Sequence, residues 1–179
     1  MKIMAIDAGV ANIGVVVMGL EGDIGASDWA PIEMRLVETE ADPRKKRVRQ
    51  ADSDMERVET AYSILSGMVT AHGIRRMVVE MPVAGGQSAP AVKNMAYASA
   101  ICACLRVQHN LFAEYYSPGE VRKALLGRWT SSKKEAGEMM LRMFPQAGDQ
   151  FPQEARREHV LDALAVFMAA LKIGNVTRA

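Results

Sequence analysis

Short apolar blocks separated by turn residues open the chain. Residues 3–6 are Ile-Met-Ala-Ile, and the block ends on Asp7; the small residues 8–12 turn the chain, and a second block rises over 13–18. Such blocks bounded by turn residues predict two strands joined by a tight turn, with one carboxylate delivered at its mouth. A third strand is expected over 32–39, where Ile32, Met34 and Leu36 alternate with Glu33 and Arg35 before Val37 and Glu38 slip the pattern. The period then changes. Met55, Val58, Tyr62, Leu65, Met68 and Val69 recur at helical spacing, which predicts a helix capped near Asp52 or Ser53 and ended by Gly73.

The run RMVVEM over 76–81 is almost continuously apolar, as expected of a central strand covered on both faces, and it carries Glu80 just before Pro82 stops it. Residues 90–110 form a helical pattern rich in alanine and apolar nearly all round, so this helix is either sandwiched inside the protein or shared with a second subunit. A fifth strand is expected over 111–116. Ser117-Pro118 then opens a short helix that ends at Gly127. Another helix follows, capped by Ser131 or Ser132, with Met139, Met140, Met143 and Phe144 on its buried side. Residues 146–154 read as an exposed loop, and 155–173 as a last helix. Three strands in a meander followed by strand–helix crossovers predict a mixed five-stranded α/β sheet with helices on both faces.

Composition fits one domain over residues 1–179: 49% of the chain is apolar, enough for a substantial core. No run reaches the roughly 18 uncharged apolar residues of a membrane span, and the N-terminus enters a strand instead of a signal-peptide segment, so a cytoplasmic, membrane-free protein is expected. Cys102 and Cys104 lie two apart on a helical pattern and point to nearly opposite faces, which disfavours a mutual disulfide or a metal pair. The net charge of +1 averages over local blocks. Arg44, Lys45, Lys46, Arg47 and Arg49 crowd one stretch; Arg122, Lys123, Arg128, Lys133 and Lys134 form a second group across a turn. Charge runs of this kind are often only solvated surface, but two of them point to a polyanionic partner.

The last helix adds the chemistry. His159 and Asp162 are three residues apart and therefore neighbours on one face, with Val166 and Ala169 above Asp162. A carboxylate in apolar surroundings calls for a metal or a cationic partner. Glu158 lies within reach of Asp162 and stays open as a further ligand. Asp7, Glu80, His159 and Asp162 sit where a mixed sheet could bring them to one end. Oxygen-rich sites suit Mg²⁺ or Mn²⁺ better than zinc. Carboxylate clusters of this type hold two ions that serve an in-line phosphodiester displacement, so acids plus basic blocks read as a nuclease.

The order and content of IMAIDAGVANIGVVV, VVEMP, YYSPGEVRKALLG, TSSKKEA and HVLDALAV resemble the RuvC family of Holliday-junction resolvases, within the ribonuclease H-like superfamily. The resemblance implies a ribonuclease H-like fold and a DNA endonuclease of recombination and repair. It makes Asp7, Glu80, His159 and Asp162 the catalytic, metal-binding quartet for two Mg²⁺ or Mn²⁺ ions. It maps junction-binding basic residues onto Arg122 and Lys133, with Lys134 adjacent, and it implies a homodimer that places paired nicks in a four-way junction. The helix over 90–110 would then be the interface, with Met95, Ile101 and Leu105 as anchors. Two departures stand out. No aromatic residue follows Glu80 before Tyr97, where the family presents one that wedges into the junction, and the insertion over 42–50 adds basic residues, with Arg44, Lys45, Lys46 and Arg47 as candidate DNA contacts. Both point to a broader branched-DNA specificity. The alternatives are a monomeric ribonuclease H-like nuclease acting on flaps or RNA–DNA hybrids, and a non-catalytic branched-DNA binder. Crowded like charges, which repel unless cations are present, argue against the binder.

Overall fold

A computed structural model describes residues 1–20, 29–39, 49–81, 88–129 and 132–174. Five strands form one sheet: β1 (Lys2–Asp7), β2 (Asn12–Leu20), β3 (Trp29–Glu38), β4 (Arg76–Glu80) and β5 (Phe112–Tyr116). Their order is β3-β2-β1-β4-β5. The β1–β2 and β2–β3 pairs are antiparallel, whereas β4 lies parallel to both β1 and β5. The meander followed by crossovers is therefore present as the sequence pattern predicts.

Alternation along each strand divides the core into two layers. On one face Met4, Ile6, Val15, Val17, Met77 and Val79 pack beneath α1 (Gln50–His72) and α2 (Ala89–Gln108). On the other, Ile3, Ala5, Val16, Met18 and Val78 meet α6 (Glu154–Ile173), flanked by α3 (Pro118–Leu126) and α4 (Lys133–Met143). Helix α6 is apolar all round from Ala163 to Ala170 because it is buried between the sheet and its neighbours.

Three local expectations change. Helix α1 starts at Gln50, and Arg49 caps it without a side-chain bond; Asp52 instead pairs with Arg49 at 2.7 Å, and Asp54 is turned into the protein. Residues 146–154 are not a loop throughout: α5 (Gln146–Gln150) forms because Ala147 is fully buried and anchors a helical turn behind Pro145. Met143 is 42% exposed, whereas Met140 and Phe144 are buried as expected. Helices α3 and α4 each open with a reciprocal capping box, Ser117 with Glu120 and Ser132 with Glu135, so Ser132 is the cap of α4.

Helix α2 is half-sandwiched. Ala98, Ile101, Cys102 and Leu105 are buried against the protein's own core, so Ile101 and Leu105 cannot anchor a second subunit. The opposite face, with Ala96, Ala100, Ala103, Cys104 and Val107, is exposed. The two cysteines do face apart, Cys102 inward and Cys104 outward.

Candidate active site

Strand register brings the first two acids together. Asp7 and Glu80 are direct partners in the parallel β1–β4 pair, each at the C-terminal end of its strand. Parity places both on the α6 side, with Ile3, Ala5 and Val78. Neighbouring strands lie about 4.8 Å apart, so the two carboxyl groups are forced close by backbone geometry alone. The turn after β1 is tied to β4 as well: the Ala8 N–H donates to the Glu80 carbonyl at 3.2 Å.

The third element is delivered by a glycine. Gly14 is the antiparallel partner of Asp7 on β2, and a Cβ there would stand 1.9 Å from the His159 carbonyl oxygen. Only a residue without a side chain lets the first turns of α6 lie directly on the sheet at this point. With the helix seated, His159 Nδ1 reaches Asp7 Oδ2 at 2.8 Å. Asp162, one turn further, follows on the same face. Helix α4 closes the site with its first residue: Lys133 Nζ lies 2.8 Å from Asp162 Oδ2 and 3.5 Å from Glu158 Oε2. A pocket results, lined by Asp7, Glu80, His159 and Asp162 together with Asn12, Pro118, Arg122 and Lys133.

The electrostatics of this pocket are strained. Burial, reinforced by the charges of Asp162 and Asp7, pushes the Glu80 carboxyl from an ordinary 4.5 up to about 8. Burial and the Asp7 charge raise Asp162 from 3.8 to about 6, although Lys133 opposes the shift. The hydrogen bond to Asp7 raises His159 above the usual imidazole range, against the pull of burial. Burial acts to lower Lys133, but the bond and charge of Asp162, helped by Glu158, leave it raised. Arg122 Nε is buried without a hydrogen-bond partner. An anionic oxygen in the pocket would supply one.

Among the described residues no three carboxylate, imidazole or thiol groups stand close enough to hold an ion as they are placed. His159 and Lys133 instead engage the carboxylates of Asp7 and Asp162 directly. The donor chemistry nonetheless fits a divalent cation: three carboxyl groups and one imidazole share a pocket, and two of the acids are raised by burial and then by mutual repulsion, both of which such an ion would offset.

Of the residues singled out in the sequence, Asp7, Glu80, His159, Asp162, Arg122 and Lys133 line this pocket. Lys134 does not. It points to a neighbouring hollow, 4.0 Å from Glu138, and Glu158 lies in that hollow too. Arg44, Lys45, Lys46 and Arg47 lie outside the described residues. Asn12 escapes sequence reasoning because it looks like an ordinary turn residue. Gly14 escapes it too, although a glycine inside a strand is a signal of close backbone approach.

The crossover junction endodeoxyribonuclease RuvC family matches residues 3–170. A curated relative from Salinibacter ruber, crossover junction endodeoxyribonuclease RuvC, is 31% identical over 130 residues, which cover 72% of this chain and 68% of that protein. The chain belongs to the RuvC family. It is a metal-dependent crossover junction endodeoxyribonuclease, a hydrolase of DNA phosphodiesters. Solved RuvC-type structures share its fold. That of Thermus thermophilus RuvC in complex with Holliday junction substrate superposes with a TM-score of 0.73 at 20% identity, covering 96% of this chain and 93% of that one. The yeast mitochondrial Holliday junction resolvase gives 0.65 at 10% identity, covering 95% and 77%. Among the described residues no helix is long and apolar enough to cross a membrane.

Proposed function

We propose that this RuvC-family nuclease resolves four-way DNA junctions as a homodimer, with Asp7, Glu80, His159 and Asp162 as its catalytic quartet holding two Mg²⁺ or Mn²⁺ ions. The observation that carries the reading is the convergence of β1, β4 and α6: a parallel register, a helix-seating glycine and one helical turn put four potential ligands in a single pocket beside two cationic side chains. Bound there, the ions would activate a water and offset charge on the leaving oxygen. The chain's own residues do the rest. His159 orients the Asp7 carboxylate through its Nδ1 bond. Lys133 holds Asp162 and neutralises part of the site until phosphate arrives. Arg122, with its unsatisfied Nε, takes a phosphate oxygen of the strand to be cut. The basic residues Arg44, Lys45, Lys46 and Arg47, with Lys134 in the neighbouring hollow, extend the phosphate contacts over the arms of the junction.

Helix α2 supports the two-fold pairing. Its exposed positions Ala96, Ala100, Ala103 and Val107 recur at i, i+4, i+7 and i+11, a single stripe of small apolar side chains on which a second copy can pack closely. Two sites related by a two-fold axis can cut opposed strands in one encounter.

A cruciform plasmid tests the reading. In Mg²⁺ the protein should linearise it by paired cuts, and Asp7→Asn should abolish cutting while binding the junction at least as tightly, because one charge facing phosphate is gone. Nicked circles alone, from a protein that sediments as a monomer, would favour a flap or hybrid nuclease. Near-normal cutting by Asp7→Asn would refute the site assignment.

A further inference from the structure

The chain has two tryptophans, and they have opposite fates. Trp29 is buried, set edge-on against Phe167 with ring centroids 5.1 Å apart. Trp129, in the turn between α3 and α4, is 55% exposed although a large rigid ring gains most from burial. It is not loosely placed. The Lys123 ammonium sits over its ring, 4.7 Å from the centroid. Its six-membered edge lies so close to α3 at Gly119 that a Cβ there would stand 2.9 Å from Trp129 Cζ3. A lysine and a side-chain-free position therefore fix the indole on the flank of α3 and leave the remainder of its surface to solvent.

That flank adjoins the acid pocket. Pro118, Val121 and Arg122 line the pocket, and their successors on the helix, Gly119 and Lys123, hold the indole. Successive helical residues are about 100° apart on a cylinder about 10 Å across, so the indole stands on the order of one helix diameter from the pocket, about three nucleotide steps of DNA. The charge around it suits a polyanion. Arg122 faces the pocket and Lys123 the ring, while Glu120, the acid on this side, is committed to capping Ser117 at 2.7 Å.

An exposed, immobilised aromatic ring with a cation beside it is the arrangement that binds an unpaired nucleobase: the ring stacks on the base and the cation meets the adjoining phosphate. We propose that Trp129 is a stacking platform for a base displaced from the duplex next to the cleavage site, which would recognise the distorted strand at a branch point. This rests on the DNA-cleaving role assigned above, but it is separable from it, since stacking can be observed without cleavage.

The test uses the full chain with labelled four-way junction, oligo(dT) and intact duplex, following anisotropy for binding and intrinsic tryptophan fluorescence for stacking. Oligo(dT) and junction should quench the wild-type fluorescence, and the quench should vanish in Trp129→Phe, in which only buried Trp29 remains. Trp129→Ala should weaken junction and oligo(dT) binding by about 5- to 100-fold, the value of one base–aromatic stack, and duplex binding by less than about twofold. Trp129→Phe should recover most of the affinity, and Gly119→Val, which pushes the indole aside while leaving Trp129 itself unchanged, should reproduce the alanine loss. DNA binding without any quench, or an equal loss on all three DNAs, would overturn the stacking role and leave the nuclease assignment standing. Failure of the wild type to bind any DNA would overturn both.

Discussion

Glu80 is the most strongly perturbed acid of the pocket, and its replacement by glutamine isolates the cost of crowding three carboxyl groups. The fold raises Glu80 from 4.5 to about 8 through burial and the charges of Asp162 and Asp7. A group whose folded value is raised stabilises fully below its unfolded value and loses that contribution as pH rises toward the folded one. At pH 7.5 the unfolded chain is ionised at Glu80 and the metal-free fold holds it protonated, about three pH units above the ordinary value. At about 1.4 kcal/mol per unit the ceiling is about 4 kcal/mol. Water at the pocket mouth screens part of this, leaving about 2 kcal/mol, which corresponds to about 4–8 °C in Tm for a chain of this size. Glutamine is neutral at every pH and nearly isosteric. In EDTA, Glu80→Gln should therefore match the wild type near pH 4.5 and melt increasingly above it as the pH climbs to 8. Mg²⁺ should close the gap by stabilising the wild type, and its binding at pH 7 should release about one proton per site, read by calorimetry in buffers of different ionisation enthalpy. A pH-independent gap, or a variant less stable than the wild type at pH 8, would refute the account of the pocket.

Further tests address the elements that place the site. Gly14→Ala puts a methyl into the His159 carbonyl and should cost about 1–3 kcal/mol in urea unfolding and more than tenfold in cleavage; wild-type cleavage would mean that α6 need not lie on the sheet there. Asp54 is 3% exposed and accepts bonds from Lys93 at 2.5 Å and Gln50 at 2.8 Å, so Asp54→Ala should destabilise by about 2–3 kcal/mol, and a change below about 0.5 kcal/mol would show the pair to be dispensable. Ala98 is 2% exposed and faces the protein's own core, so Ala98→Glu should unfold the chain, whereas Ala100→Glu on the exposed stripe should yield a folded monomer by sedimentation. A dimer that survives Ala100→Glu would move the interface elsewhere.

Much of this protein was legible in the linear order of its residues. Short apolar blocks ending on Asp7 and Glu80, and a three-residue spacing between His159 and Asp162, are local signals, because the length of a buried strand and the pitch of a helix are set over a few residues. They predicted the strands, the mixed sheet and the side chains that share the pocket. Tertiary structure decided what depends on a partner distant in the chain. The parallel register that sets Asp7 beside Glu80, the seating of α6 on Gly14 and the pairing of Lys133 with Asp162 each join segments dozens of residues apart. Helix α2 shows the limit most plainly: its alanine-rich composition is nearly the same on every face, and only docking against α1 and the sheet determined that Ala98, Ile101 and Leu105 turn inward and Ala96, Ala100 and Val107 remain in solvent. Amphipathic contrast is what lets a sequence announce a helix's buried side, and where the contrast is absent the neighbouring elements choose it.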